Sequence, residues 1–298
     1  MWDELQFGIA LAVSGLSIGL MYSLIALGFV LVYKATDAIN FAQGEFVMLA
    51  GFVAAVVLGI KGTPVIAAVA AALAVMVLFG FALERVVLRP LLGRPVVAVI
   101  MATIGLGAIL RGLPPITVGG ETRAISLPIG DTPVGFGPVS LPPIQVLGVV
   151  VALLFLALFT WFFLKSRMGV AMRAVADNQQ VAMAMGINVE RYFALAWAMA
   201  GIVSALGGVI WGSMLGVDVH LALVGLKVFP VVILGGLDSI VGAVVGGLIV
   251  GLVESLAAGY LDPYVGGGTK DFAPYVLMII ALMFKPYGIF GTHKIERV

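Results

Sequence analysis

The sequence predicts an all-α fold, a polytopic transmembrane helical bundle that crosses a membrane about eight to ten times. The chain is 62% hydrophobic and 10% charged, and its mean hydropathy is +1.20. Average soluble domains carry roughly 25% charged residues, so this chain could not cover itself with a hydrated surface. Its apolar runs are continuous, whereas the strands of a membrane β-barrel alternate between apolar and polar residues. Helices are therefore the elements that we expect.

Nine apolar runs are the candidate membrane segments. They cover residues 7–33, 46–60, 64–88, 96–113, 144–164, 193–217, 228–237, 240–260 and 272–284. The run at 228–237 is too short to cross a hydrocarbon core of about 30 Å, so a broken or re-entrant helix is an alternative for it. If it does cross, nine spans lead from an outside N-terminus to an inside C-terminus. No small-residue cleavage site follows the first run, which favours a retained first helix over a signal peptide.

Lysine and arginine residues in the short loops predict the orientation, because cytoplasmic loops carry the excess of these residues. They form three groups, after the third run, after the fifth run and at the C-terminus. The groups are Arg85, Arg89 and Arg94; Lys165, Arg167, Arg173 and Arg191; and Lys285, Lys294 and Arg297. Segment 114–143 then lies outside, and its β-branched residues and Gly-Pro turns predict a small strand pair. It is either a rigid connector or a docking surface for an external partner.

Segment 165–192 is predicted to be cytoplasmic and too polar to span the membrane. Its spacing predicts one short helix over 170–185, with Arg173, Asp177 and Gln180 on one side and Met183 on another. Arg173 and Asp177 are four residues apart, which allows an ion pair on that helix. Gly186 stands where a helix C-terminus favours a residue with positive φ. Two interpretations stay open, a helix at the membrane surface and a ledge that a cytoplasmic subunit grips.

A polar interruption lies between the first two runs, where Asn40, Gln43 and Glu45 fall within six residues. Polar groups near membrane depth usually face a cavity, another helix or a solute. The segment is either a loop or helix cap on the cytoplasmic side or a broken segment that lines the translocation path. Asp238 follows a second break, at a Gly-Gly pair, and two such breaks in two halves are typical of internally repeated transporters. A path with few charges suits a zwitterionic or neutral solute.

Several classes of function are disfavoured. The chain has no cysteine, and its two histidines, His220 and His293, are far apart, so we expect no metal site. A net charge of +1 without a basic domain gives no reason to expect nucleic-acid binding. No Gly-x-x-x-x-Gly-Lys-Ser/Thr loop is present, so we expect no ATP site in this chain. Nothing in the pattern indicates an enzyme.

The energy for transport must then come from a separate ATPase or from an ion gradient. Gradient-driven carriers usually hold several ionisable groups at mid-membrane. Glu254 is the clearest candidate within an apolar run, whereas Arg111 lies near the end of its run and could extend to the surface. Because Glu254 is the one clear candidate for such a group, a separate ATPase is favoured over an ion gradient as the energy source. Gly242 and Gly246 have the spacing that allows close packing of helices.

Six stretches carry a resemblance to a known family. They read GLMYSLIALG at 19–28, INFAQGE at 39–45, MGIN at 185–188, ALGG at 205–208, LGGLDSIVGA at 234–243 and KPYGIFG at 285–291. Together they resemble the Liv-type permease of branched-chain amino-acid ABC importers over nearly the whole chain. The segment around Asn40 is the most specific of them.

The resemblance implies a single permease domain over 1–298 in the bacterial cytoplasmic (inner) membrane. It implies uptake of branched-chain or other hydrophobic amino acids, or of a related solute such as urea, an amide or an aromatic acid. The implied partners are a second related permease, two cytoplasmic ATPases that use ATP, an extracytoplasmic solute-binding protein and membrane lipid. The candidate residues of the solute path are Asn40, Gln43, Glu45 and Asp238. The implied ATPase-coupling residues are Arg173, Asp177, Gln180, Met183 and Gly186.

Overall fold

The fold is that of a helical membrane protein, as predicted. A computed structural model describes residues 2–91, 94–130, 132–137 and 139–292. The helices, in chain order, are α1 (Trp2–Thr36), α2 (Gln43–Leu58), α3 (Val65–Leu83), α4 (Val96–Thr117), α5 (Pro143–Lys165), α6 (Arg167–Asp177), α7 (Gln179–Ala184), α8 (Val189–Leu215), α9 (Leu223–Gly235), α10 (Ile240–Tyr260), α11 (Asp262–Val265) and α12 (Thr269–Phe284). A π-helical turn, Glu84–Leu88, extends α3, and a 3-10 turn, Val219–Ala222, leads into α9.

Six helical segments are long and apolar enough to cross a membrane. They are Glu4–Thr36, Val65–Leu91, Val96–Thr117, Pro143–Lys165, Val189–Leu215 and Ile240–Tyr260. Two shorter apolar helices cover Gln43–Leu58 and Val219–Gly235. At a rise of 1.5 Å per residue each of these two is about 25 Å long, a little less than the hydrocarbon core. The run predicted at 228–237 is therefore, up to Gly235, the second half of a longer helical stretch.

The predicted strand pair in segment 114–143 is confirmed. Strands β1 (Val134–Phe136) and β2 (Val139–Leu141) pair antiparallel, with Val134 opposite Leu141. The same segment is held to the end of α8 by a backbone bridge, in which Arg123 and Val217 exchange hydrogen bonds of 3.0 and 2.8 Å.

The chain divides into two compact units, each built from segments that are distant in sequence. The terminal unit contains the described residues up to Val30, then Ile129–Leu153, and the described residues from Leu226 onward. The central unit contains Leu31–Pro128 and Leu154–Gly225. That residues 1–298 form a single permease domain stays a prediction. The two units are defined by the contacts between residues within each of them.

Glycine allows the helices of each unit to approach closely. In the central unit, a side chain at Gly201 of α8 would collide with the carbonyl oxygen of Met76 on α3. In the terminal unit, Gly242 and Gly246 of α10 lie against the backbone of α9, at Gly235 and Val231. The predicted close packing at Gly242 and Gly246 is confirmed. At these glycines the two helices touch through backbone atoms and not through side chains, which is common where helices associate in a membrane.

The order of the helices repeats once along the chain. A long helix, a break, a short helix and a second long helix occur as α1, α2 and α3 and again as α8, α9 and α10. The polar break at Asn40 precedes the first short helix, whereas the Gly-Gly break before Asp238 follows the second one. The two breaks therefore do not hold equivalent places in this order, and an internal repeat stays a prediction.

Candidate functional site

The polar interruption folds into a buried hydrogen-bond chain inside the central unit. The side-chain amide of Asn40 donates to Gln43 Oε1 at 3.0 Å, and its Oδ1 accepts from the backbone N–H of Ala42 at 3.1 Å. Gln43 begins α2 and donates to Ser204 Oγ on α8 at 3.0 Å. Ser204 in turn donates to the carbonyl of Ala200 at 2.8 Å. Asn40, Gln43 and Ser204 are completely buried, so in this conformation their polar atoms are satisfied within the protein.

Glu45 is neutralised by an arginine from another helix. Its side chain is buried in the first turn of α2 and accepts a hydrogen bond from Arg111 of α4. Gly107, four residues earlier on α4, leaves room for the carboxyl, because a Cβ there would lie 3.3 Å from Glu45 Cδ. The Arg111 side chain is 54% exposed, so the pair connects a buried carboxylate to the surface of the unit. Arg111 thus serves as the partner of Glu45.

Further contacts of the polar interruption, all within the central unit, are with α4 and with the first turn of α9. The backbone N–H of Phe41 donates to Thr103 Oγ1 on α4 at 3.2 Å. Gly44 lies against the start of α9, where its Cβ position would be 3.1 Å from the Cα of Gly225. The first turns of the two short helices, α2 and α9, therefore touch backbone to backbone.

Asp238 lies in the terminal unit and makes a separate set of contacts. Its carboxylate accepts hydrogen bonds from the backbone N–H of Thr292, at 3.2 Å to Oδ2, and from the Thr292 hydroxyl. The backbone of Ile289 and Phe290 also bonds to the end of α9, at 2.8 and 3.0 Å. Asp238 thus fastens the segment after α12 to the Gly-Gly break. The structure brings Asn40, Gln43 and Glu45 together and leaves Asp238 in the other unit, and their role in a solute path stays a prediction.

The predicted coupling segment is two helices, and the prediction of one helix over 170–185 is wrong. The chain is extended at Asn178 (φ −156°, ψ 107°), which separates α6 from α7. Its side-chain oxygen accepts a hydrogen bond of 3.0 Å from the N–H of Val181 and so caps α7. Asparagine at an N-cap satisfies backbone donors that a new helix leaves free, which favours a restart. Asp177 and Gln180 therefore lie on different helices.

Arg173 has another role than the predicted ion pair with Asp177. Its guanidinium donates to the backbone carbonyls of Phe163 and Leu164 at the end of α5 and lies over the Phe163 ring, 5.4 Å from the ring centre. Among the residues that the structure describes, no salt bridge joins Arg173 to Asp177. Cations suit the C-terminal end of a helix, where carbonyls lack partners. Arg173 thus anchors α6 to α5.

The other predicted coupling residues are on the surface. Asp177, Gln180, Met183 and Gly186 are exposed, and the Met183 residue is 56% exposed. Gly186 has φ +81°, which confirms the positive φ predicted at this helix end. Val181 and Met185 are exposed too, so α7 and its C-terminal end present apolar side chains to the outside. Such a surface is typical of a contact with another protein or with a membrane, so both interpretations of this segment stay open.

Two polar clusters were not predicted from the sequence. Arg89 makes a two-point hydrogen bond to Glu84, at 3.2 and 3.1 Å, across the π-helical turn, and it pairs with Glu190 of α8 at 2.9 Å. A cavity of about 250 Å³ lies beside it, lined in part by Asp37, Gln179 and Trp197. The second cluster joins Lys227 to Glu254, whose need for a partner the sequence had indicated. The sequence signal for this second cluster was Lys227, a single lysine in an otherwise apolar stretch.

One of the two histidines, His220, lies in the described part of the chain. His220 lies in the 3-10 turn, with its Nδ1 3.5 Å from Asp218 Oδ1, and His293 lies outside the described residues, as do Lys294 and Arg297. Burial opposes ionisation of Asp218, but hydrogen bonds from the His220 N–H and from Thr122 outweigh it and hold the pKa of that carboxyl below its usual value. These contacts stabilise the turn before α9.

Comparisons with known proteins agree with the helical architecture. The model of a family described as the permease component of branched-chain amino acid transport systems matches residues 11–283. The chain is 33% identical over 299 residues to the high-affinity branched-chain amino acid transport system permease protein LivH of Escherichia coli K12, and 96% of each chain is covered. It is also 33% identical over 301 residues to the corresponding protein BraD of Pseudomonas aeruginosa, again with 96% of each chain covered.

A solved structure shares the fold. PsaBC from Streptococcus pneumoniae, in complex with a Fab, superposes with a TM-score of 0.51 and covers 95% of this chain and 94% of its own. The sequences are 12% identical, so this likeness concerns the fold alone.

Proposed function

The chain belongs to the family of permease components of branched-chain amino acid transport systems, and from this premise we propose that it is the transmembrane permease subunit of an ATP-binding-cassette importer. Its solute is a branched-chain or other hydrophobic amino acid, or a related small solute such as urea, an amide or an aromatic acid. The observation that carries the proposal is the match to relatives of that function over 96% of the chain. Six helices apolar enough to cross a membrane agree with it.

The partners follow from what the chain lacks and from what it exposes. It has no phosphate-binding loop, so ATP is bound by two cytoplasmic ATPase subunits and no cofactor is held by this chain. The exposed surface of α7, with Val181, Met183 and Met185, suits a groove in such an ATPase. Arg173 holds α6, the helix before α7, to α5. A displacement of α7 by the ATPase would therefore be transmitted through α6 to α5, a membrane helix. A second permease and an extracytoplasmic binding protein complete the complex in the inner membrane.

The solute path, in this proposal, includes the breaks at Asn40–Glu45 and at Asp238. Asn40 and Gln43 are completely buried here and can reach a solute only in another state of the transport cycle. Their neutral amides suit a zwitterionic solute because exchanging one hydrogen-bond partner for another leaves no charge uncompensated. Glu45 and Asp238 hold the two breaks in place through Arg111 and Thr292.

The alternative, an ion-gradient-driven transporter, is less well supported by the ionisable groups. Glu45 and Glu254 are each paired with a cation, Arg111 and Lys227. A proton relay instead needs groups that gain and lose charge in turn. The family also argues for ATP as the energy source.

Uptake by reconstituted vesicles tests the proposal. The chain is incorporated with its second permease and both ATPases, and radiolabelled leucine is offered with the binding protein. We expect uptake that needs ATP inside and binding protein outside, and that disappears when the ATPases carry a catalytic substitution. Uptake by the lone chain under a proton or sodium gradient would contradict the proposal, and so would flux that needs neither energy source nor partner.

A further inference from the structure

A glutamine side chain joins the predicted coupling segment directly to the end of α1. Gln179 is the first residue of α7, and its Nε2 donates a hydrogen bond of 3.2 Å to the backbone carbonyl of Ala35. Ala35 lies in the last turn of α1, 144 positions earlier in the sequence. The last carbonyls of a helix have no partner within that helix. Gln179 therefore supplies a donor that α1 cannot supply for itself.

This hydrogen bond ends close to the polar interruption. α1 stops at Thr36, Asp37 follows with φ +54°, and Asn40, the first residue of the buried hydrogen-bond chain, comes three positions later. Among the residues that the structure describes, Asp37 is the one residue other than glycine with a positive φ. A left-handed conformation costs an L-amino acid free energy, and such residues are frequent in switch regions. The carbonyl that Gln179 contacts thus precedes a turn that leads into the proposed solute path.

A cavity beside this contact leaves the end of α1 room to move. The cavity of about 250 Å³ described above is lined by Thr36, Asp37 and Gln179, among other residues. Protein interiors are otherwise close-packed and have few voids larger than a water molecule. The end of α1 and the start of α7 are therefore joined by a hydrogen bond at the edge of an open space, and close packing does not lock them there.

We propose that Gln179 is a positioning residue of the transport cycle, which passes the movement of α7 on to the polar interruption. This inference rests on the proposed function and adds a residue to its coupling step, since the coupling residues that the resemblance implies do not include Gln179. When the ATPases move α7, the Gln179 side chain moves the end of α1, and the segment from Asp37 to Asn40 follows. The contact of Arg173 leads to a different helix, α5.

A local role, in which Gln179 only helps to start α7, is the competing explanation. The two roles place opposite demands on charge, because the side chain lies between two helix ends. The N-terminus of α7 favours an anion, whereas the C-terminus of α1 favours a cation. Gln179→Lys keeps a donor for the Ala35 carbonyl, while Gln179→Glu offers it a carboxylate that only accepts. These two variants therefore distinguish the two roles.

The experiment measures leucine uptake and ATP hydrolysis on the same vesicles, which contain the permease pair and both ATPases and receive the binding protein. Energetic coupling between two sites is typically worth a factor of about five or more, so Gln179→Leu should raise the ATP hydrolysed per leucine at least about fivefold. Gln179→Glu should behave in the same way, whereas Gln179→Lys should keep the wild-type ratio. The opposite order, with Gln179→Glu coupled and Gln179→Lys uncoupled, would overturn the proposal in favour of the local role. If Gln179→Leu does not assemble, the comparison of the two charged variants decides.

Gln145→Leu is the matched control. Gln145 Nε2 also donates to a backbone carbonyl of α1, that of Ser14 at 3.1 Å, but it lies in the first turn of α5 and outside the predicted coupling segment. The control loses the same kind of hydrogen bond, so it should unfold at a lower temperature and keep the wild-type ratio of ATP to leucine. An equal rise of this ratio in Gln145→Leu would overturn the proposal.

The wild-type complex separates failure of this inference from failure of the proposed function. ATP-dependent leucine uptake by the wild type, together with an unchanged ratio of ATP to leucine in all three Gln179 variants, would overturn the role of Gln179 alone. Absence of ATP-dependent uptake by the wild type would overturn the proposed function as well.

Discussion

Arg111 reaches Glu45 from a neighbouring helix and neutralises the one carboxylate of the polar interruption. Glu45 is 5% exposed at its side chain and Arg111 is 54% exposed, so the two partners differ greatly in what they lose when separated. Removing the arginine leaves a buried charge without compensation, whereas removing the carboxylate leaves a cation that is more than half exposed. The two halves of this ion pair should therefore respond unequally to substitution.

We expect Arg111→Met to destabilise the permease more than Glu45→Gln does. Loss of one partner of a fully buried pair costs about 3–5 kcal/mol, and the half-exposed arginine lowers this to about 2 kcal/mol. Thermal unfolding of the purified permease in detergent measures the difference. The double variant Glu45→Gln/Arg111→Met should recover part of the loss, and the idea is refuted if Arg111→Met unfolds at the wild-type temperature.

Asn40→Leu and Gln43→Leu should each lower the rate of solute uptake while the complex still assembles. Both amides belong to the hydrogen-bond chain that ends on Ser204, and leucine can neither donate to Gln43 or Ser204 nor accept from the Ala42 backbone. Uptake into vesicles gives the rate, and size-exclusion chromatography reports assembly. Ser204→Ala is the control, because it keeps the Asn40–Gln43 hydrogen bond, removes both bonds of the Ser204 hydroxyl and leaves one amide donor of Gln43 unpaired, at a cost of about 1–3 kcal/mol. Normal uptake by both leucine variants would leave the segment with a purely structural role.

The helices themselves could be predicted well, because the length of an apolar run and the residues at its ends determine a membrane helix locally. The run predicted at 240–260 coincides with α10, whose start is fixed by Ser239, which accepts a hydrogen bond of 2.9 Å from the N–H of Gly242. The break at Asn178 was missed, although an asparagine at that position can cap a helix, since alanine and methionine favour helix on both sides of it.

The partners inside the candidate sites could not be predicted from spacing. Gln43 meets Ser204 across 161 positions and Lys227 meets Glu254 across 27, and both pairs join different helices. The rules for neighbours at i+3 and i+4 hold only within one helix. The sequence indicated that Glu254 needs a partner, but the identity of that partner follows from packing.

Gly201→Val should prevent normal assembly of the central unit. A side chain at Gly201 would collide with the carbonyl oxygen of Met76, a backbone atom that cannot move aside without shifting α3. Overpacked cores typically lose about 1–3 kcal/mol, and a backbone collision lies at the upper end of that range. The yield of monodisperse protein after membrane extraction measures the effect. Gly105→Val on α4 is the control, since nothing lies within 4 Å of that position, and equal yields from both variants would disprove the packing argument.

Met183→Asp should uncouple ATP hydrolysis from transport without preventing insertion into the membrane. Met183 is exposed on α7, so an aspartate there costs the isolated permease little, but it places a charge in the proposed apolar contact with the ATPase. We expect the ATPase activity of the complex to lose its stimulation by the solute-loaded binding protein, together with at least a tenfold drop in uptake. Arg173→Glu should act on the same step by another route, because it sets a carboxylate against the Phe163 and Leu164 carbonyls and detaches α6 from α5. Ile60→Asp, an equally exposed apolar position after α2, is the control and should keep stimulation and uptake. Full stimulation in the Met183 variant would show that α7 is not the surface that the ATPase grips.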